Sequence, residues 1–438
     1  MSLRSRFLSF AVSLVAVTSF AATDWRQVMG PNEGTVPAPY QQNVEWRDDL
    51  DAAFAEAKRE NRPLFVTFRC PPCDQCSWFD AVVLRGSNTL TPLYKQFVTA
   101  RITDAKYLDE RVFKVREFQD LDMSWWGYFL SPDGQIYGVY GGKDEVSDQT
   151  RISEDGLANA MERVLAHHYD PRRPQWNIDG EIPNLSGRPV TPYDFPGASS
   201  YLRERPGLKS QPCLHCHQVN DIIRSEKMAS PDFNKATDFY DWPFPENVGM
   251  KLDIDEGLLV TEVTPGGVAD KAGLQKGDVI MVADGRKLFS STDFRGALHR
   301  ASNGPATIAV YYNRNGQPAQ AVLQTDENWK ETKNYWRKSI YDGPIGPSPG
   351  FFPLKGPNQG KGSLSLKAFT KGKPNHPATK AGLTPNAEIV AVNGMREDMN
   401  TREFLTWFKM NHADGDEITL TIKKGGQEDE ITYRLPRS

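Results

Sequence analysis

The first strong hydrophobic pattern of the chain predicts a helix followed by a buried strand. Between Asp48 and Asn61 apolar residues recur at helical spacing, with acidic residues at the beginning and basic residues at the end. Arg62-Pro63 ends this pattern, and Leu64–Phe68 is a mostly apolar run of strand length. Such a run is typical of a central strand covered on both faces. We therefore expect a helix that leads into the middle of a sheet.

Further strands and two helices are expected in the residues that follow. Phe97–Ile102 has the composition of a strand, and Trp126–Leu130 and Gln135–Val139 flank a Ser-Pro-Asp-Gly turn as a hairpin. One helix should run from near Cys73 to Leu84, and another should cover Gly156–His168. This mixture of helices and strands predicts an α/β domain over residues 44–170.

The composition is that of an ordinary multidomain protein. With 438 residues, 39% of them apolar and 25% charged, the chain has material for about three domains. Its 31 prolines and 35 glycines exclude one long helical bundle and predict many turns. The net charge of -4 argues against a nucleic-acid partner. The five cysteines form two tight clusters, which indicates chemistry or metal binding rather than a disulfide scaffold.

Residues 1–22 have the order of charged, apolar and small residues that marks a secretory signal peptide. Arg4 and Arg6 precede an apolar run from Phe7 to Phe20, and we expect cleavage near Ala21-Ala22. An uncleaved membrane anchor is the alternative, but the run is shorter than the ~20 residues that a span needs. No later segment has the length and apolarity of a span. We therefore expect a periplasmic or otherwise exported protein with no membrane span after cleavage.

The first cysteine cluster, Cys70, Cys73 and Cys76, follows the predicted buried strand directly. This strand, turn and helix resemble thioredoxin-like domains, in which the last aromatic residue of the strand lies five residues before the first cysteine of a Cys-x-x-Cys pair. Phe68 has that position relative to Cys73. The resemblance therefore implies a redox-active disulfide centre at Cys73-Asp74-Gln75-Cys76.

A thiolate at the beginning of a helix is stabilised by the helix dipole and by free amide groups. We therefore expect Cys73 to be the nucleophile and Cys76 to resolve the mixed disulfide, with Cys70 as an alternative resolving thiol. Two residues depart from the family pattern, because Trp125 stands where thioredoxins place a cis proline and Thr67 replaces a buried acid. A metal site of three thiolates and a purely structural role stay open as alternatives.

Residues 171–245 are interpreted as a Pro-rich segment, and within it residues 171–212 are expected to be an extended connector that leads to the second cysteine cluster. Its Cys213-Leu214-His215-Cys216-His217 matches Cys-x-x-Cys-His, the attachment signature of c-type haem. In this interpretation Cys213 and Cys216 bind the haem vinyl groups and His217 binds the iron, with Met228 or Met250 as candidate sixth ligands. A disulfide, or a zinc site that also uses His215, is the alternative.

An internal repeat occupies the C-terminal half of the chain. Residues 269–285 align with residues 378–394 without a gap, and seven of the seventeen positions are identical. Each copy reads as a short helical turn that ends at a glycine, an apolar strand, and an Asp-Gly or Asn-Gly turn. Asn386 replaces Gly277, and asparagine tolerates the left-handed backbone that we expect there.

These copies resemble PDZ domains of the bacterial protease-associated type, which we place at residues 246–325 and 346–438 with a linker at 326–345. The resemblance implies that backbone amides of Val248, Gly249 and Met250 hold the terminal carboxylate of a peptide, which adds as a strand. Residues 350–352 correspond to this loop in the second copy. Residues 291–301 and 401–411 would be the groove helices. The alternative is a packing module with an occluded groove.

The order of these segments resembles the thioredoxin/PDZ domain-containing (seleno)protein family of exported bacterial proteins. The expected fold class is multidomain α/β plus α+β, with a thioredoxin-like α/β domain, a Pro-rich segment and two PDZ-like β-rich domains. The leading hypothesis is an exported thiol-disulfide oxidoreductase whose PDZ domains recruit client proteins through their C-terminal peptides. The alternative is a non-enzymatic PDZ adaptor or a redox or metal sensor of the cell envelope, with c-type haem as a candidate cofactor.

Overall fold

A computed structural model provides the structure of the protein. It describes residues 44–68, 79, 83–143, 150–204, 214–343, 345–355, 364–370 and 373–436. The predicted signal peptide, the first cysteine cluster and Cys213 lie outside these residues. None of the helices in the described ranges has both the length and the apolar character needed to cross a membrane.

The N-terminal domain contains a mixed sheet with helices on both faces. Its elements are α1 (Leu50–Glu60), β1 (Leu64–Phe68), α2 (Leu90–Tyr94), β2 (Val98–Ile102), α3 (Glu110–Phe113), α4 (Val115–Phe118), β3 (Ser124–Leu130), β4 (Ile136–Lys143) and α5 (Glu154–His168). The strand order is β2-β1-β3-β4. β1 pairs with β2 in parallel and with β3 in antiparallel orientation. The strands, the hairpin and the two helices at either end confirm the sequence predictions.

Local sequence explains both ends of α1 and the burial of β1. The Asp49 side chain accepts a hydrogen bond from the backbone N–H of Ala52, which caps the beginning of the helix. The helix ends at Asn61, whose left-handed φ of 48° suits an asparagine. All five residues of β1 are buried because the strand has a neighbour on each side and a hydrophobic core on each face. The apolar run therefore marks the middle of the sheet, as predicted.

The proline-rich segment is extended only in part. Its described residues include the α-helices α6 (Arg173–Trp176), α7 (Ala198–Glu204), α8 (Cys216–Met228) and α9 (Lys235–Asp238). Residues 181–190 are largely exposed, as expected of a connector. In contrast, Phe195, Tyr201 and Ile222 are buried in the same core as Phe68. The expectation of an unpacked connector over residues 171–212 is therefore wrong at Phe195 and Tyr201, because these widely spaced apolar residues cover one face of the N-terminal sheet.

The first repeat folds into a small β-rich domain around one long helix. Its elements are β5 (Met250–Leu252), β6 (Val260–Val263), α10 (Val268–Lys271), β7 (Val279–Ala283), β8 (Arg286–Lys287), α11 (Ser291–Arg300), β9 (Ala306–Arg314) and β10 (Gln317–Thr325). β5 and β6 form one antiparallel pair, and the other strands form a sheet in the order β10-β9-β7-β8. The predicted groove helix is present as α11.

The second repeat has the corresponding elements. They follow the short helix α12 (Lys338–Tyr341) and are β11 (Phe352–Lys355), β12 (Leu366–Phe369), α13 (Pro377–Lys380), β13 (Glu388–Val392), α14 (Thr401–Asn411), β14 (Glu417–Lys424) and β15 (Gln427–Arg434). The strands form one sheet in the order β11-β12-β13-β14-β15. Gly277 has a φ of 96° and Asn386 a φ of 65°, so the left-handed backbone expected at this repeated position is confirmed.

A buried cluster of charges joins the N-terminal domain to the first repeat and to the predicted linker. The Asp120 carboxylate accepts hydrogen bonds from Arg337 at 2.7 Å and from Arg295 at 2.7 Å. All three side chains are almost completely buried. Arg337 lies within residues 326–345, where the sequence suggested a linker, and Trp336 and Ile340 beside it are also buried. This stretch is therefore a packed part of the structure.

Candidate functional site

The end of β1 positions the predicted dithiol. Phe68 is the last residue of β1 and pairs with Ile102 of β2 and Trp126 of β3. Its ring packs edge-on against Phe113 and Tyr128, with centroids 4.8 and 4.9 Å away. The central strand therefore ends on a rigid aromatic support just before Cys70, Cys73 and Cys76. These three cysteines lie outside the described residues, so their assignment stays a prediction.

Trp125 occupies an unusual backbone conformation beside this strand end. Its φ is 59°, a left-handed value that is strained for a bulky residue. The indole is 1% exposed and meets the ring of Phe79 edge-on, with centroids 4.6 Å apart. Phe79 follows Cys76 by three residues. The residue that replaces the expected proline therefore packs against Phe79, the first described residue after the dithiol.

Two polar groups at the same end of the sheet are buried without a hydrogen bond. Neither the Trp125 indole N–H nor the Thr67 hydroxyl has a partner among the residues that the structure describes. Thr67 is completely buried and pairs with Gly127 of β3. Sequence comparison with thioredoxins singled out both positions. Buried polar groups that lack partners cost free energy, so each of these two positions is unfavourable within the core.

The second cysteine cluster is attached to the end of β2. The backbone N–H of Leu214 donates to the Asp104 carboxylate at 2.9 Å, and the N–H of Ala105 donates to the Leu214 carbonyl at 3.2 Å. The Leu214 side chain is buried in the core that also contains Phe68. Helix α8 then begins at Cys216. The cluster is therefore docked on the thioredoxin-like sheet, although its position in the sequence suggested a separate connector.

Cys216 is half-buried against the loop that precedes β3. The Gln119 side-chain amide donates to Cys216 Sγ at 3.8 Å, and its carbonyl oxygen accepts from the Tyr128 hydroxyl at 3.4 Å. Burial raises the pKa of Tyr128 well above its usual value, and Glu110 and Cys216 add to this effect. Burial also raises the pKa of Glu110 to about 7. Sequence reasoning missed Gln119, because an isolated loop glutamine carries no recognisable signal.

The surroundings of this motif fit c-type haem poorly. Cys216 packs against the domain core and against Gln119, so its sulfur faces protein side chains. Met250 is buried in the core of the first repeat. Met228 is the last residue of α8, roughly 18 Å along the helix from Cys216. Neither methionine lies where a sixth ligand to iron held by His217 would be needed.

The predicted carboxylate-binding loop of the first repeat has the expected backbone turn. Gly249 has a φ of 78°, and a Cβ at this position would lie 3.2 Å from the Cα of Gly267. Val248 and Met250 on either side are buried in the domain core. The N–H of Gly249 donates to the Glu246 carbonyl at 3.0 Å within the same turn. The side chains of Val248 and Met250 therefore hold the loop in place, and peptide binding by its amides stays a prediction.

The groove helix α11 is covered by other parts of the chain. Its N-terminus docks on the edge strand β4, where the Asp293 carboxylate accepts from the Val139 N–H at 2.7 Å and Thr292 donates to the Gly141 carbonyl at 3.0 Å. The Trp242 ring stacks on His299 of α11 with centroids 4.3 Å apart. Every residue from Ser291 to Leu298 is buried. This packing favours the alternative of an occluded groove in the first repeat.

The second repeat has a more open binding edge. β11 is the first strand of the five-stranded sheet and pairs with β12 on one side. Phe352 and Leu354 on β11 are 46% and 45% exposed, and Phe369 of β12 lies opposite Phe352 with 46% exposure. Gly350 precedes the strand with a φ of 87°. This repeat therefore presents an apolar strand next to its glycine turn.

Comparison with protein families supports the domain interpretation. A family model described as thioredoxin-like matches residues 45–121, and a PDZ domain model matches residues 235–325. The protein therefore contains a thioredoxin-like domain followed by PDZ-like, β-rich modules, and the predicted fold class is confirmed. A PDZ domain is a module that binds proteins or peptides. Membership of the thioredoxin/PDZ (seleno)protein family stays a prediction, since each match covers one domain.

Known relatives share only part of their length with this chain. The protein is 35% identical over 69 residues to a "Serine protease HtrA-like" of Staphylococcus epidermidis, covering 16% of this chain and 12% of the relative. It is 30% identical over 145 residues to "Periplasmic pH-dependent serine endoprotease DegQ" of Escherichia coli, covering 33% and 30%. A "Probable periplasmic serine protease do/HhoA-like" of Haemophilus influenzae is 26% identical over 178 residues, covering 40% and 35%. The matches thus span about a third or less of these relatives.

Proposed function

We propose that this protein is an exported thiol-disulfide oxidoreductase whose PDZ modules recruit client proteins. The observation that carries the proposal is the position of the first cysteine cluster, directly after the buried central strand of a thioredoxin-like sheet. β1 ends at Phe68, five residues before Cys73, and helical structure is present again at Phe79. A Cys-x-x-Cys pair that lies between a strand and the beginning of a helix can act as a redox dithiol, and these flanking residues support that role for Cys73 and Cys76.

The proposed reaction is reversible thiol-disulfide exchange. The Cys73 thiolate attacks one sulfur of a client disulfide, a mixed disulfide forms, and the other client sulfur leaves as a thiolate. The Cys76 thiol then loses its proton and attacks Cys73, which releases the reduced client and leaves a Cys73–Cys76 disulfide. Two electrons pass from the protein to the client in this direction, and an external dithiol restores the pair.

Client recruitment is assigned to the PDZ modules, with the second module as the stronger candidate. An extended peptide that added to β11 would gain main-chain hydrogen bonds and would cover Phe352, Leu354 and Phe369. The first module is a weaker candidate, since its helix α11 is covered by β4 and Trp242. Tethering a client beside the dithiol raises its effective concentration and therefore the rate of exchange.

Export is supported by the residues at the N-terminus and by the relatives. Residues 1–22 have the pattern of a signal peptide, and two of the relatives carry the word periplasmic in their names. Disulfide exchange with client proteins also belongs to an oxidising compartment. The relatives are named as serine proteases, and we propose that what this chain shares with them is the PDZ module rather than proteolysis.

The redox proposal is tested by insulin reduction with the full chain, with dithiothreitol as the source of electrons. We expect turnover with the unchanged protein and with Cys70→Ser, and loss of turnover with Cys73→Ser. Cys70→Ser is the matched control, because it removes a thiol from the same loop but leaves the Cys-x-x-Cys pair. Equal rates for Cys73→Ser and the unchanged protein would show that Cys73 is not the nucleophile. No turnover by the unchanged protein would favour the adaptor hypothesis.

The recruitment proposal is tested by binding of fluorescent peptides with free, apolar C-termini. Phe352→Lys should weaken binding because it places a charge on the apolar strand edge. Lys251→Glu on β5 of the first module is the control, since Lys251 lies on the corresponding strand and is largely exposed. If Lys251→Glu weakens binding and Phe352→Lys does not, the first module is the one that binds.

A further inference from the structure

A lysine ammonium group lies beside the glycine turn that leads into β11 of the second module. Lys373 Nζ donates to Ser348 Oγ at 2.8 Å, and the same oxygen accepts from the Gly350 N–H at 3.3 Å. Lys373 is exposed to solvent. Within the described parts of the chain, its ammonium group forms no ion pair with a carboxylate. The start of β11 therefore carries a positive charge that a bound anion would neutralise.

A second lysine, at the other end of the strand, already has a counter-charge. Lys355 is the last residue of β11, and its ammonium group pairs with the Asp398 carboxylate at 3.5 Å. Both lysines are exposed, but the group that Lys373 contacts is a neutral hydroxyl. Of these two lysines, Lys373 is therefore the one whose charge is left for a ligand.

The turn beside Lys373 is held in place by close contacts. Gly350 has a φ of 87°, and a Cβ at this position would overlap the His376 ring. The Tyr433 hydroxyl donates to the Pro349 carbonyl at 2.8 Å. An open cavity of about 350 Å³ adjoins the turn, and its lining residues are Lys373, Pro374, Asn375, His376, Pro377 and Pro436. None of these lining residues is acidic, so the cavity suits an anionic group.

The backbone of this turn has few N–H groups to offer an anion. The two prolines just before Gly350 have no N–H, and the Gly350 N–H is used by Ser348. The corresponding loop of the first module, Val248–Met250, contains no proline. Side chains must therefore supply donors in the second module. Lys373 spends one of its three N–H groups on Ser348, whose hydroxyl accepts two hydrogen bonds and keeps its own hydrogen to donate.

A peptide that adds antiparallel to β11 places its C-terminus at the Phe352 end of the strand, next to Gly350 and Lys373. We propose that Lys373 Nζ and Ser348 Oγ hold the terminal carboxylate of a client peptide on β11, an inference that rests on the proposed recruitment of clients by the second module. Both residues lie outside the loop at 350–352 that the sequence predicts for this role. Lys373 thus selects free C-termini over internal client segments and fixes the direction of the added strand.

Peptides with and without a terminal carboxylate test this assignment in the full chain. Each fluorescent peptide of the recruitment test is compared with its C-terminal amide. We expect the acid to bind about tenfold more tightly, because the amide lacks the charge-assisted hydrogen bonds. Lys373→Gln should lower the affinity of the acid to that of the amide and leave the amide unchanged. Lys355→Gln is the matched control and should keep the preference, since Lys355 is already paired.

The amide separates failure of this assignment from failure of recruitment. If acid and amide bind the unchanged protein equally, the carboxylate site is wrong, and recruitment through internal client segments stands. If the preference for the acid survives in Lys373→Gln, another group holds the carboxylate and the assignment is wrong. A variant Lys373→Gln that weakens acid and amide equally would also overturn it, because Lys373 would then act on the module and not on the carboxylate. If neither form binds the unchanged protein, the recruitment proposal itself is wrong.

Discussion

Replacing Asp120 by asparagine removes the negative charge that two buried guanidinium groups share. The Asp120 carboxylate accepts from Arg337 at 2.7 and 3.2 Å and from Arg295 at 2.7 Å. Burial disfavours its charged form, but Arg337 and Arg295 outweigh this effect and lower the pKa of Asp120 below its usual value. The N-terminal domain, the first PDZ module and residues 326–345 all depend on this carboxylate.

Asp120→Asn should cause a large loss of unfolding free energy, because Arg337 and Arg295 stay buried without their counter-charge. Breaking a buried ion pair by removing one partner costs about 3–5 kcal/mol, since the remaining charge is desolvated without compensation. Asp133→Asn is the matched control, because Asp133 pairs with Lys58 at 3.2 Å with both side chains more than half exposed. Exposed pairs contribute about 0–1 kcal/mol. Both variants replace an aspartate by an asparagine. The difference between their losses of unfolding free energy therefore measures the effect of burial.

Urea unfolding followed by tryptophan fluorescence measures both losses. The pH dependence gives a second check, because a carboxylate with a lowered pKa in the folded state stabilises the protein above the pKa of the unfolded chain. This contribution should be complete above about pH 4 and should be lost as the pH falls through the folded pKa. A loss below about 1 kcal/mol for Asp120→Asn, equal to that of the control, would refute the importance of this cluster.

Three further predictions concern individual buried groups. Trp125→Phe and Trp126→Phe remove the same volume from the core, so both should destabilise the protein. Trp126→Phe should cost about 1 kcal/mol more, because it also loses a hydrogen bond to a backbone carbonyl, whereas the Trp125 indole N–H has no partner among the described residues. Equal losses of unfolding free energy in urea would contradict this. Burial raises the pKa of Glu110 to about 7. The protonated Glu110 therefore contributes stability that is complete below about pH 4 and is lost as the pH rises through 7. Glu110→Gln should make the unfolding free energy less dependent on pH over that range. An unchanged profile would show that Glu110 ionises normally. Gly249→Ala should cost about 1–2 kcal/mol of backbone strain, and more because the new Cβ would lie 3.2 Å from the Cα of Gly267. Gly285→Ala should cost the strain alone, because no atom of the described residues lies within 4 Å of its Cβ position. A thermal melt in which Gly285→Ala is the less stable variant would contradict the loop geometry.

The regular elements of the N-terminal domain could be predicted from the sequence because their patterns are local. The helix up to Glu60 has its own caps, and β1 is a continuous apolar run. The turn of the repeat could also be predicted from the sequence, since Gly277 and Asn386 both have the left-handed backbone that their residue types favour. In each case the residues that decide the structure are neighbours in the chain.

Packing between distant segments could not be predicted in the same way. Phe195 and Tyr201 are scattered among prolines and polar residues, so nothing in their spacing indicates that they cover the N-terminal sheet. Arg337 looks like a linker residue, and its burial depends on Asp120, which lies 217 residues away. The same limitation applied to the second cysteine cluster. Its motif was visible, but its docking on Asp104 and Gln119 depends on contacts that single-sequence patterns do not record.

The central claim is that Cys73 is an activated thiolate at the end of the central strand. The most direct measurement is the rate of alkylation of each cysteine in the reduced protein as a function of pH, resolved by peptide mass. We predict that Cys73 titrates well below the ordinary thiol value of about 8.5, and that Cys76 in the same sample titrates at or above it. A Cys73 thiol that titrates at or above about 8.5, together with Cys76, would contradict the account.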